Sequence, residues 1–361
     1  MPEISGRVIW IPFGHLPPNV SIYQKCCIIL RKAALCITWL KKLVDSVVPL
    51  FERENMKRTF TSGLGILLMA GCCLPSVSQT SSKEHVIEVP FDFYQNEIIL
   101  QVKVNEKGPF NMMLDTGTDP SAIDLATAKD LGLKLDPIGR KGSGGGTSVN
   151  LVYQTGLPRL EVGGFVARNV EAAAIDLSKI SQRLAKPIHG ILGHSLLNGR
   201  VVQIDYPNRV VRFYSKSQFP KAANQLNSWK RTVVPFRYDD NVLIDGVLVN
   251  GKKVTGNLDT GSDGTFKLTP AAVSYLGLAD EVSKAEVSTS VGYNGVAENR
   301  EGKLRNVTIG GISVDAPTVI FFGKGTGRDK KVWGINVGNA FLKDFVVTID
   351  YQSRLITFER S

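Results

Sequence analysis

The feature that most constrains the fold of this chain is an internal repeat. Past residue 84, similar blocks occur twice in the same order, about 145 residues apart. Because the blocks keep both their order and their spacing, this part of the chain is predicted to consist of two duplicated domains. The matching blocks are Val89-Pro90-Phe91 with Val234-Pro235-Phe236, Val104-Asn105 with Val249-Asn250, Leu-Asp-Thr-Gly-Thr-Asp at 114–119 with Leu-Asp-Thr-Gly-Ser-Asp at 258–263, Leu-Gly-Leu at 131–133 and 276–278, Ile-Asp-Tyr at 204–206 and 349–351, and Arg209 with Arg354.

Short β-strands are the strongest local signal within each copy. Runs rich in Val, Ile and aromatic residues are separated by turns that contain Gly, Asn or Asp, which is typical of β-rich domains. Helix signals are few, and the clearest is Thr269 followed by Pro270, which predicts a helix ending near Gly277. The best strand candidates are residues 97–104, 201–204, 210–214, 346–349 and 355–358.

An Asp-Thr-Gly triplet follows an apolar run in each copy. The first begins at Asp115 and the second at Asp259, and a hydroxyl residue follows each triplet. One such triplet alone indicates only a turn. Two triplets at equivalent places in a duplication are hard to explain as unrelated turns.

A second pair of triplets lies downstream at matched separations. Ile191-Leu192-Gly193 follows Asp115, and Asn336-Val337-Gly338 follows Asp259 at a separation that differs by a single position. Together with the Asp-Thr-Gly pair, this arrangement resembles the bacterial pepsin-like and retropepsin-like aspartic peptidases over essentially all of residues 86–361. In that family the triplet is apolar-apolar-Gly, and its glycine lets a chain segment cross closely beneath the active-site loop. Asn336 departs from the usual apolar residue.

The resemblance implies a mostly β, bilobal fold of two tandem retropepsin-like β-barrel lobes with a few short helices. It implies an aspartic endopeptidase with Asp115 and Asp259 as the catalytic pair and with neither a metal nor another cofactor. Two facing carboxyl groups cannot both ionise cheaply, so they share one proton. The ionised member then activates a water while the protonated member polarises the substrate carbonyl.

The neighbours of the aspartates have supporting roles in this interpretation. Gly117 and Gly261 allow the tight turn and the close approach of amides. The resemblance implies that Thr116 and Thr260 hold the two loops together. It also implies that Thr118 and Ser262 bond the outer carboxylate oxygens, which favours ionisation and an acidic pH optimum.

Asp119 and Asp263, one position further on, are expected to face solvent or a local amide and are left out of the catalytic assignment.

Two glycine-rich segments resemble the flaps that cover the site in retropepsins. Residues 142–146 follow the first Asp-Thr-Gly triplet, and residues 292–295 follow the second at a similar separation. A cover that excludes water strengthens the electrostatics of such a site, although both segments could also be plain surface loops. Nothing in the sequence places Tyr293 over the cleft. The predicted substrate-binding residues are Gly144, Gly145, Gly146, Gly292, Tyr293 and Gly295.

Composition argues against several other classes of protein. Half of the net charge of +10 lies in the segment 1–80, and the remainder has no basic stripe with interleaved aromatics, so no nucleic-acid partner is expected. All five cysteines lie between Cys26 and Cys73, which excludes a disulfide or a cysteine metal site further on. The four histidines show no metal-binding spacing.

The N-terminal region resembles an export signal. Residues 56–72 contain a methionine, two basic residues, an apolar stretch too short to cross a bilayer, and then Met69-Ala70-Gly71-Cys72, which resembles a lipobox. Cys72 is the expected lipidation site, with cleavage after Ser76-Val77-Ser78 as the alternative. Residues 1–55 are interpreted as a misassigned or disordered extension or, alternatively, as a membrane-associating segment, and residues 73–84 as a linker.

The predicted organisation is therefore a lobe at 85–220, a connector at 221–230 and a second lobe at 231–361. The leading hypothesis is a monomeric endopeptidase that acts on peptide or protein substrates and is exported as a periplasmic or outer-membrane lipoprotein. Two alternatives remain open: a non-catalytic peptide-binding protein on the same scaffold, and an enzyme that processes a single partner protein.

Overall fold

The computed structural model describes residues 86–142, 145–148, 150–214, 231–323 and 331–360. The predictions for the extension 1–55, the signal 56–72, the linker 73–84 and the connector 221–230 lie outside these residues.

Strands dominate both copies of the repeat. The first copy contains β1 Ile87–Pro90, β2 Asp92–Tyr94, β3 Glu97–Val104, β4 Lys107–Leu114, β5 Ser121–Asp124, β6 Arg140–Lys141, β7 Leu151–Val162, β8 Phe165–Ile175, β9 Gly190–Leu192, β10 Val201–Asp205 and β11 Val210–Tyr214. The second contains β12 Arg231–Pro235, β13 Arg237–Tyr238, β14 Val242–Val249, β15 Lys252–Leu258, β16 Phe266–Leu268, β17 Glu286–Gly292, β18 Gly295–Lys303, β19 Asn306–Ile309, β20 Ile312–Asp315, β21 Thr318–Phe322, β22 Ile335–Val337, β23 Val346–Asp350 and β24 Leu355–Glu359.

The helices of the described residues are short. They are α1 Leu125–Asp130, α2 Ser178–Leu184, α3 His194–Leu197, α4 Pro270–Leu276, α5 Ala279–Lys284 and α6 Asn339–Leu342. Helix α4 begins and ends as the sequence predicts: the Thr269 hydroxyl accepts a hydrogen bond from the Ala272 amide at 3.2 Å, and Gly277 ends the helix with φ of 75°. None of these helices is long and apolar enough to cross a membrane.

The strands form one sheet in each lobe and one sheet that both lobes share. The N-terminal lobe has the order β2-β3-β4-β9-β5-β8-β7-β6, and the C-terminal lobe has β17-β18-β21-β16-β22-β15-β14-β19-β20 with β13 beside β14. The shared sheet has the order β1-β11-β10-β23-β24-β12. The expected mostly β architecture in two lobes with short helices is thus confirmed.

The shared sheet shows the duplication directly. Strands β10 and β23 pair in antiparallel fashion at its centre, with Gln203 opposite Thr348. These two residues are separated by the repeat spacing itself, and the Gln203 amide donates to the Thr348 hydroxyl at 3.0 Å. An approximate two-fold axis therefore passes between equivalent residues of the two copies.

Alternating hydrophobic residues explain why these segments fold as strands. In β3, Val102 and Val104 are fully buried while Gln101 and Lys103 beside them are exposed. This two-residue period places one face of the sheet against the core.

Strand pairing fixes where the two loops with the Asp-Thr-Gly triplets lie. Strand β9 runs parallel to β4, which ends directly before Asp115, and β22 runs parallel to β15, which ends directly before Asp259. Strands β9 and β22 each lead into a glycine that passes under a loop. A Cβ on Gly193 would overlap the Thr118 carbonyl oxygen, and one on Gly338 would lie 2.6 Å from the Ser262 carbonyl oxygen.

We predict that Gly338→Ala destabilises the fold by about 1–3 kcal/mol, because the added methyl group collides with backbone that cannot move aside cheaply. The matched control is Gly156→Ala in β7, where a Cβ meets only the Val170 carbonyl oxygen at 3.8 Å. Calorimetric melting of both variants checks this. Equal melting temperatures for the two would contradict the close crossing.

Candidate active site

The two aspartates of the repeat meet between the lobes. The carboxyl groups of Asp115 and Asp259 lie close together, beside the two glycines of their loops. A Cβ on Gly117 would lie 3.0 Å from the Asp259 carboxyl carbon and 3.3 Å from Asp115 Oδ1, and one on Gly261 would overlap the Asp115 carboxyl group. The carboxyls can approach because neither loop has a side chain at these positions.

Thr116 and Thr260 tie the two loops together. The Thr116 backbone N–H donates to Thr260 Oγ1 at 3.0 Å, and the Thr260 N–H donates to Thr116 Oγ1 at 3.1 Å. Each hydroxyl in turn donates to a backbone carbonyl of the opposite lobe, at Leu258 and Leu114, over 2.7 and 2.8 Å. Because both threonines are buried, these four bonds fix the spacing of the aspartates with little competition from water.

The inner carboxylate oxygens have equivalent partners in the two lobes. The Gly117 N–H donates to Asp115 Oδ1 at 2.7 Å, and the Gly261 N–H donates to Asp259 Oδ1 at 3.0 Å. The outer oxygen of Asp115 accepts from the Thr118 hydroxyl at 2.5 Å.

The outer oxygen of Asp259 has a different kind of partner. It accepts from the Asn336 side-chain amide at 2.8 Å, and Asn336 Oδ1 accepts from the Asn257 amide at 2.7 Å. In the described part of the chain, the Ser262 hydroxyl makes no bond to this carboxylate, so the expected role of Ser262 is taken by Asn336. The residue that departs from the family pattern is thus one that contacts an aspartate of the pair.

Sequence reasoning missed Asn336 and Asn257 as site residues. Both are almost fully buried, at 2% and 1% exposure, and occupy facing positions on β22 and β15. The available signal was an amide within a short buried stretch, at residues 256–258 and 335–337, because a buried polar side chain requires a partner.

The environment of Asp115 disfavours its charge. Burial, followed by the neighbouring Asp259 carboxylate, raises the pKa of Asp115 to about 7, although the bonds from Thr118 and Gly117 act in the opposite direction. One member of the pair therefore keeps its proton in acidic solution and up to near-neutral pH.

A cavity of about 590 Å³ lies over the two carboxyls, with the glycine-rich segments on its other side. Asn294 at the tip of the β17–β18 hairpin donates to the Gly145 carbonyl at 2.8 Å and accepts from the Ser148 N–H at 2.8 Å. Gly146 has φ of +114°, and Gly292 lies so close to Gly145 that a Cβ would come within 2.5 Å of its carbonyl oxygen. The two segments therefore join each other through their backbones.

The predicted flap residues differ in where they lie relative to the cavity. Gly145, Gly146, Gly292 and Tyr293 line the cavity. Gly295 lies to one side of it, where a Cβ would be 3.0 Å from Lys179 Nζ. Gly144 lies outside the described residues.

Asp119 and Asp263 are both exposed to solvent at least in part, as predicted, and both also have side-chain partners. Asp119 is exposed, as expected, and it also accepts from the Tyr238 hydroxyl at 2.7 Å. The Asp263 side chain is 42% exposed, and it also accepts from Arg183 at 3.0 Å and from Lys267 at 2.8 Å, which the sequence did not predict. Although burial opposes it, these two cations hold the pKa of Asp263 below its ordinary value.

The site has the parts that general acid–base chemistry on a carbonyl compound requires. One carboxyl that holds a proton can polarise a carbonyl oxygen, and an adjacent ionised carboxylate can take a proton from water. The residues that the structure describes hold no cluster of three or more His, Cys, Asp or Glu side chains suited to a metal ion.

Comparison with models of protein families gives a match over both lobes. A family model described as aspartyl protease matches residues 100–196 and 246–335, which together make up more than half of the chain. No curated protein matches the chain. Each matched region contains one Asp-Thr-Gly triplet and reaches the strand of the downstream triplet, and the second ends at Ile335, just before Asn336.

Proposed function

Because the chain belongs to the aspartyl protease family, we propose that it is an aspartic endopeptidase with Asp115 and Asp259 as its catalytic pair. The observation that carries this proposal is the close approach of the two carboxyl groups, one from each lobe, at the base of a covered cavity.

The partners of the two outer oxygens support a division of roles. The Nδ2 group of Asn336 can only donate, so it stabilises negative charge on Asp259. The Thr118 hydroxyl can donate or accept, and it therefore tolerates a protonated Asp115. We assign the shared proton to Asp115 and the role of base to Asp259.

The reaction then proceeds in two balanced steps. Water attacks the substrate carbonyl carbon, Asp259 takes a proton from that water, and Asp115 gives its proton to the carbonyl oxygen, which yields a tetrahedral diol. As the C–N bond breaks, Asp259 gives its proton to the leaving nitrogen and Asp115 recovers a proton from a diol hydroxyl. Both carboxyls return to their starting states.

Substrates of this enzyme would be extended peptide segments of a peptide or protein. The cavity runs between the catalytic loops and the joined glycine segments, which offer backbone groups to a chain laid between them. Since each lobe supplies one aspartate, a monomer contains the complete site.

For the N-terminal region we propose export as a lipoprotein with lipid on Cys72, which would tether the enzyme to a bacterial periplasmic or outer membrane. The sequence of residues 56–72 supports this. Mass analysis of the native N-terminus is expected to show an acylated Cys72, and Cys72→Ser is expected to release the protein while Cys73→Ser does not. An unmodified N-terminus after Ser78 would contradict the anchor.

We predict that Asp115→Asn and Asp259→Asn each lower kcat on an unfolded protein substrate by at least about 100-fold, because each removes a group that transfers a proton. Exposed Asp344→Asn is the matched control and should keep its activity. A protein that binds peptides with normal affinity but cuts none, with both aspartates intact, would be a binding protein and would contradict the proposal.

We predict that activity falls as the pH rises through about 7, because Asp115 then loses the proton that it must donate.

Asn336→Leu should move the acidic limb of the pH–rate profile to higher pH by about 1 unit, since it removes one hydrogen bond to a charged oxygen. Ser262→Ala serves as the control because its hydroxyl does not bond the carboxylate. Equal shifts in the two variants would refute the role of Asn336.

A further inference from the structure

The two lobes differ in the polarity of the side chains with which they line the cavity at equivalent positions. In the N-terminal lobe, neighbouring strands present what we name the apolar row: Met113, Ile191, Ala122 and Ala173. In the C-terminal lobe the corresponding strands present the polar row: Asn257, Asn336 and Lys267. All seven residues line the cavity over the catalytic pair.

The strand register shows which residues of the two rows correspond to each other. Ile191 lies opposite both Met113 and Ala122, just as Asn336 lies opposite both Asn257 and Lys267. Because the first lobe lines its part of the cavity with apolar side chains, the fold itself does not require the amides of Asn257 and Asn336 or the ammonium group of Lys267. Burying polar groups costs free energy unless they find partners, so a function is needed to explain them.

The hydrogen bonds of the polar row are incomplete in the described residues. Asn336 donates to Asp259, Asn257 donates to Asn336, and Lys267 donates to Asp263. Within the same described residues, Asn257 Oδ1 is buried and has no partner. The Lys267 ammonium has three protons, and the bond to Asp263 uses one of them.

These groups define the chemistry of a side chain that would complete the row. Such a side chain needs a donor for Asn257 Oδ1 and an acceptor for the Lys267 ammonium. The positive charge of Lys267 disfavours a basic side chain, while Asp263 and the charge of the catalytic pair disfavour an acidic one. A carboxamide is neutral and supplies both a donor and an acceptor.

We propose that the polar row binds an asparagine or glutamine side chain of the substrate next to the scissile bond, while the apolar row binds an apolar side chain on the other side of that bond. This inference rests on the proposed peptidase function. A pocket built to hydrogen-bond a side chain rejects analogues that lack the polar group, because its own buried groups would then stay unpaired.

The test is digestion of a peptide library by the full chain, with cut sites identified by mass spectrometry. We expect Asn or Gln on one side of the cut and an apolar residue on the other. The variant Asn257→Met with Lys267→Ala installs the residues of the apolar row. It should lower the preference for carboxamide over leucine in kcat/KM by about tenfold or more, the effect of one lost hydrogen bond. Asn336 is left unchanged because it contacts Asp259.

The possible outcomes separate this inference from the proposed function. If the parent protein cuts nothing, the peptidase proposal fails and the subsite fails with it. If it cuts between two apolar residues, or beside charged ones, the carboxamide subsite is overturned and the peptidase stands. Melting curves check that the double variant folds, and the single variant Asn257→Met replaces it if it does not. A variant that keeps the parent preference also overturns the subsite.

Discussion

The structure depends on two acidic side chains, one from each lobe, being held close together at the base of one cavity. Like charges so close together repel strongly, and burial makes each charge more costly, so the arrangement is stable only while one proton is retained. Four bonds from Thr116 and Thr260, two from the glycine amides and one at each outer oxygen hold the groups in place. The retained proton is also what the proposed peptidase mechanism requires.

The duplicated halves have not remained equivalent where they meet. Equal halves would give the two aspartates equal surroundings and would leave the proton on either one. In this chain a hydroxyl contacts one outer oxygen and an amide contacts the other, with a second amide behind it. A single chain that carries both halves can differentiate them in this way, whereas a dimer of identical subunits cannot. The difference between the apolar row of one lobe and the polar row of the other has the same origin.

Much of the fold could be predicted from the sequence because its determinants are local or repeated. The alternation of exposed and buried residues at 101–104, the cap at Thr269 and the repeat spacing each carry their own signal. The contacts of Asn336 could not be predicted, because they depend on the parallel pairing of β22 with β15, between segments far apart in the chain. The contacts of Tyr238 with Asp119 and of Arg183 with Asp263 were missed for the same reason, because each pair joins residues of opposite lobes.

The pairing of β10 with β23 has a consequence for how the protein can be divided. The six-stranded sheet takes three strands from each copy, so a single copy would end in a bare strand with unpaired backbone groups along its length. Such an edge readily recruits another strand, and the strand it fits best is the corresponding strand of a second molecule. A fragment that contains only one copy of the repeat would therefore be prone to self-association. The dimer that it prefers would resemble the intact two-lobed monomer. In the full chain the two strands pair with each other, and this pairing keeps the two halves of the proposed site together.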